Sequence, residues 1–71
     1  MTGEEFQVVR LYMGLTQAQF AEMLGISEAS VSFMERGQRN VSAATIAKIS
    51  KKFQVTDDYL AFKSNRKRLA E

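Results

Sequence analysis

The sequence predicts an all-α fold of five short helices, and three observations carry that reading. Apolar residues recur at three- and four-residue spacing almost throughout the 71 residues, with few β-branched runs. Hydroxyl residues suited to begin helices recur along the chain. There is no Pro and no Gly/Ser-rich stretch, so nothing divides the chain into domains.

The first helix is expected over 3–13, where Thr2 and Glu5 have capping-box spacing and Phe6, Val9 and Met13 form one apolar stripe. Thr16 and Gln19 repeat the capping box ahead of a helix over 17–24, with Phe20, Ala21 and Leu24 on its buried face. Gly25 then supplies a turn residue that tolerates positive φ, Ile26 plugs the space between helices, and Ser27 caps a helix over 28–36. Val31 and Met34 bury one face of that third helix, while Ala21 lets it cross its predecessor closely. Ser42 caps a fourth helix over 43–53, with Ile46, Ile49 and Phe53 inward. Thr56 begins a fifth over 57–62 that can run on into the tail, and Val55 and Leu60 are expected to close the bottom of the core. Residues 1–62 thus read as the domain and 63–71 as a basic tail, KSNRKR being its densest part.

A chain of this length buries roughly 60% of its unfolded surface, which leaves a marginal core. Cys and His are both absent, so neither a disulfide nor a Cys/His zinc site can staple it. No cofactor or metal is expected. An enzyme is not expected either: besides lacking His and Cys, the chain has no Gly-rich phosphate loop and no paired carboxylates with an obvious cleft. No apolar run approaches the roughly 20 residues of a membrane helix, and the N-terminus lacks the basic and apolar regions of a signal peptide. A soluble, cytoplasmic location is therefore expected. The net charge is +2, but it is uneven: residues 1–15 and 16–40 each sum to −1, and 41–71 to +4. Such an imbalance can present a positive face to phosphates.

Residues 17–37, QAQFAEMLGISEASVSFMERG, combine the small residue at the crossing, the glycine turn and the two apolar faces of a helix-turn-helix. The second helix of that motif lies in the DNA major groove. An ordinary helical hairpin shares the turn but not the whole pattern. On a helical wheel Ser30, Val31 and Met34 point one way, while Glu28, Ala29, Ser32, Phe33 and Arg36 gather on the other. With short side chains at its middle, that outward face can approach a groove floor.

Arg10, GLTQAQFAEMLGIS (14–27), VS-x-MERG-x-R (31–39) and DDYL (57–60) together resemble the phage repressor and Cro type of helix-turn-helix domain, a lambda-repressor-like fold also described as xenobiotic-response-element-like. The resemblance spans residues 6–60, about three quarters of the chain. It implies a transcriptional regulator, repressor or Cro-like, that binds a palindromic operator of double-stranded DNA as a homodimer. By position it implies base contacts from Glu28, Ala29, Ser32 and Phe33, and phosphate contacts from Gln17, Arg36, Arg39 and Asn40. It implies a structural ion pair between Arg10 and Glu35, and a dimer surface after the fourth helix, at Tyr59 and Phe62.

The chain departs from that family at four points. Val41 stands where Pro is frequent, and Gln54 where Gly is frequent, which predicts a strained left-handed cap after the fourth helix. Met34 replaces a frequent Trp or Ile. The base-facing positions carry no Arg, Lys, Gln or Asn, so the strongest bidentate base contacts are missing. Ala29 and Phe33 can pack against thymine methyls, Glu28 can accept from cytosine N4, and Ser32 can serve either partner. Alternatively, Phe33 is shielded by its own helix and Glu28 complements the helix dipole.

Val8, Leu11 and Tyr12 lie off the expected core stripe of the first helix. They form either an exposed apolar patch for an antirepressor or a toxin, or a surface covered by the C-terminal tail. An antitoxin or antirepressor-binding module on the same fold is thus the second reading. Both a whole regulator and the DNA-binding part of a longer repressor fit this length.

Overall fold

The computed structural model describes the backbone of residues 1–70 and the side chains of residues 1–66. Five helices follow in order: α1 Gly3–Tyr12, α2 Gln17–Leu24, α3 Glu28–Glu35, α4 Ala43–Lys52 and α5 Asp57–Ala70. Each start is set by a hydroxyl that accepts a backbone N–H from the first turn. Thr2 and Thr16 do so within full capping boxes, completed by the side chains of Glu5 and Gln19. Ser27, Ser42 and Thr56 accept from the N–H groups of Ser30, Thr45 and Tyr59 at 3.0, 3.1 and 3.2 Å.

Gly25 ends α2 at φ +69°, and the exit is a Schellman motif: Ile26 N–H donates to Ala21 O at 3.0 Å and Gly25 N–H to Glu22 O at 3.2 Å. The Leu24 carbonyl, left over by that turn, accepts from Lys48 Nζ of α4 at 3.0 Å. α4 ends differently from the sequence expectation. Phe53 leaves the helix in extended conformation at φ −141°, and among the described residues no non-Gly residue takes positive φ, so Gln54 is spared the left-handed cap.

The core comprises Phe6, Val8 and Val9 of α1, Phe20, Ala21 and Leu24 of α2, Val31 and Met34 of α3, Ile49 and Tyr59. Phe6 and Phe20 meet ring to ring at 4.9 Å across its centre. Tyr12 joins Phe53, Tyr59 and Phe62 in an aromatic cluster with centroid distances of 6.0, 5.3 and 5.4 Å. Edge-to-face pairs of this kind stabilise by about 0.5–1.5 kcal/mol beyond their buried area. Burial there pushes the Tyr59 hydroxyl above its usual range.

Burial decides three expectations. Of the two alternatives for Val8, Leu11 and Tyr12 the covered one holds: Val8 is only 3% exposed, and Tyr12 packs against Tyr59 and Phe62 of α5. The reason is that α1 packs against both α3 and α5 and buries more than one stripe. Tyr59 is buried and Phe62 partly so, which leaves little of either side chain outward for a dimer surface. Val55 and Leu60, expected inside, are 66% and 50% exposed.

As the sequence allows, α5 runs on into the basic residues from 63 onward. Lys63 Nζ reaches Glu5 Oε2 at 3.4 Å and Arg66 Nη2 reaches Gln7 Oε1 at 3.4 Å, which lays this part of α5 along α1. The other basic residues of KSNRKR, Lys67 and Arg68, have side chains outside the described residues.

Candidate nucleic-acid interface

α2 and α3 are the most closely packed helix pair, joined by the Gly25–Ile26 turn. Ala21 is buried in this packing, and Val31 and Met34 turn one side of α3 into the core. The other side is left to solvent. Glu28, Ala29 and Phe33 are exposed and Ser32 is half-buried, one helical face holding all four positions expected to meet bases.

Two contacts set the position of α3 against α1. Arg10 grips Glu35 in a two-pronged pair, Nε to Oε2 at 2.6 Å and Nη2 to Oε1 at 3.0 Å. The third guanidinium nitrogen donates to the Leu15 carbonyl at 2.9 Å. Gln17 Nε2 also donates to Glu35 Oε1, at 3.2 Å. The expected phosphate ligand Gln17 is therefore half-buried, with one amide N–H already engaged, and it ties the start of α2 to the end of α3.

The second contact had no counterpart in the sequence reading. A Cβ built on Gly3 would overlap the carbonyl oxygen of Met34 and lie 2.9 Å from that of Glu35. α1 thus begins directly against the last turn of α3, an approach only glycine permits. A single glycine at a helix start gives no periodic signal, which is why pattern reasoning passes it by.

Beyond α3, Arg36, Arg39 and Asn40 are all exposed, as phosphate-facing positions need to be. The two arginines are not free in solution, however. The guanidinium carbons of Arg36 and Arg39 lie 5.2 and 5.6 Å from the centroid of the Phe33 ring. Arg36 Nε donates to Ser32 O at 3.3 Å, and Arg39 Nη1 to Ser30 Oγ at 2.8 Å. Ser30 Oγ in turn accepts from Ser27 Oγ at 2.9 Å. Ser30 was grouped with the inward residues on the wheel, and its linking role could not be read there because Arg39 lies beyond the helix end.

Among the described residues no cluster of acidic side chains, His or Cys could hold a metal ion, and no helix is long and apolar enough to cross a membrane. No curated protein and no solved structure matches the chain. The model of the Helix-turn-helix family matches residues 9–60, a span that contains α2, the turn, α3 and α4 entire. The chain therefore belongs to the helix-turn-helix family, of the Cro and C1 repressor type, whose members bind DNA and regulate transcription.

Proposed function

We propose that the protein is a sequence-specific transcriptional regulator, repressor or Cro-like, that binds a palindromic operator as a dimer and acts in the compartment holding the DNA. The observation carrying this reading is the outward side of α3. It is a face that begins with Glu28, continues with the small and apolar Ala29, Ser32 and Phe33 and has arginines at its far end, held in place by the Arg10–Glu35 pair and by the seat of Gly3. Placed in a major groove, α3 would set Glu28, Ala29, Ser32 and Phe33 against base edges. The start of α2, with the remaining donor of Gln17, and the segment carrying Arg36, Arg39 and Asn40 would meet the backbone on either side.

For the dimer, the large apolar side chains best exposed among the described residues are Met1, Val55 and Leu60. They rim a groove of about 310 Å³ whose walls include Val9, Ile49 and Phe53. None of the base-facing residues lines it, so a second copy seated there leaves both α3 helices free. The alternative reading, a toxin- or antirepressor-binding module, loses the support it drew from Val8, Leu11 and Tyr12.

The test is selection of duplexes from a random library, followed by titration of the selected duplex against random competitor at two salt concentrations. Enrichment of a two-fold symmetric sequence with half-sites about one helical turn apart, resistant to competitor, is expected. Equal removal by random duplex would refute the proposal.

A further inference from the structure

An exposed aromatic ring at the middle of a base-facing helix is unusual chemistry for reading DNA, because it can neither donate nor accept a conventional hydrogen bond. Phe33 is 37% exposed, and it is flanked by two arginines. Arg36 and Arg39 bring their guanidinium groups to the ring, and each is anchored in turn, Arg36 on the Ser32 carbonyl and Arg39 on Ser30. Cation–π contacts of this sort are attractive even at exposed sites. They limit the ring's rotation and hold it displayed. Ala29 lies one turn earlier on the same face, so the two side chains form a continuous apolar strip.

In the major groove, the apolar feature available to such a strip is the C5-methyl group of a pyrimidine. A purine edge, or the edge of an unmethylated cytosine, would lose hydrated polar atoms against the ring without gaining a partner. We propose that Phe33, displayed by Arg36 and Arg39 and extended by Ala29, recognises the C5-methyl group of a pyrimidine in each half-site, borne by thymine or by 5-methylcytosine. Phe33 is the specificity-determining residue, and Arg39 is a positioning residue acting through it. This rests on the reading that α3 enters the major groove. It adds a consequence: cytosine methylation at that position strengthens binding rather than weakening it.

The test uses the full chain and the duplex selected from the random library. Each thymine is replaced in turn by deoxyuridine, which deletes the methyl group and keeps the base pair. Wild-type protein is expected to lose about three- to ten-fold in affinity at one or two positions per half-site, the range that burial of a methyl group supports. At those positions a 5-methylcytosine–guanine pair is expected to bind more tightly than cytosine–guanine, which separates the methyl group from the rest of thymine. Phe33→Ala is expected to abolish the thymine–deoxyuridine difference. Arg39→Lys keeps the charge but loses the planar guanidinium that lies by the ring and bonds Ser30, so it should shrink that difference while leaving the salt slope unchanged. Tight, competitor-resistant binding that is indifferent to deoxyuridine at every position would overturn the inference and leave the regulator reading standing. Discrimination that survives in Phe33→Ala would overturn it too. Failure to select any sequence would remove both.

Discussion

Glu35 ends α3 with its side chain 3% exposed and accepts three hydrogen bonds, two from Arg10 of α1 and one from Gln17 of α2. A carboxylate this enclosed depends on its cation. Arg10→Met would leave Glu35 with the neutral Gln17 amide alone, and is expected to cost about 3–5 kcal/mol in a thermal or urea melt. The double variant Arg10→Met, Glu35→Leu removes both charges and should recover much of that loss. A double variant no more stable than Arg10→Met would show that the cost is packing, not a stranded charge. At the surface the balance differs. Glu5 is held below the usual carboxylate range, first by the Thr2 N–H it accepts and then by Lys63. Because its folded-state value is depressed, its contribution is present above the unfolded value and fades as pH falls through the folded one. Acid should therefore loosen the N-terminus of α1 before the core. Glu5→Gln, which keeps the cap acceptor as Gln19 does in α2, should flatten that dependence in amide exchange with little change in melting temperature. Residues of this kind were legible in sequence because a capping box is local. Arg10 and Glu35 are 25 positions apart, and only the family resemblance paired them.

Between helices, spacing decides more than polarity. Gly3 lets α1 touch the carbonyls at the end of α3, and Gly3→Ala must push the two apart, because the atoms it meets are backbone and cannot rotate away. A destabilisation of about 1–3 kcal/mol is expected, and weaker operator binding with it, since α3 changes angle. A variant that melts lower yet binds its operator as tightly would show that the seat of Gly3 does not set that angle. α5 illustrates what periodicity could not deliver. Its inward positions run Tyr59, Phe62, Lys63 and Arg66, correct helical spacing but half of it basic. Long basic side chains lie along α1 and carry their heads to Glu5 and Gln7, so a packed stripe reads as a solvated tail. With Tyr59 turned inward, Leu60, the next residue of α5, is turned out. The chain thus holds the expected helices, but the rotation of the last one was hidden by the chemistry of its own contact face.

The whole molecule spans about 30 × 25 × 20 Å, and its functions divide among its surfaces. If two protomers each commit Arg36 and Arg39 to phosphates, the logarithm of affinity should fall with the logarithm of salt at a slope of about −4. A slope near zero would argue against backbone anchoring by those arginines. On the groove rimmed by Met1, Val55 and Leu60, Leu60→Glu should abolish association of two copies on a full operator and leave binding to a single half-site unchanged. Equal loss on both duplexes would point to a folding defect, and no loss would remove the groove from the dimer.

The separation of α3 into an inner side fastened by Val31, Met34 and Glu35 and an outer side that takes no part in the core has a bearing on how such a protein diversifies. Exchanges at Glu28, Ala29, Ser32 and Phe33 alter what the helix can contact while leaving the burial that holds it in place untouched. If α3 reads bases as proposed, the scaffold can be retargeted to a new operator in single steps, and divergent copies can acquire separate regulatory circuits without re-solving the problem of stability.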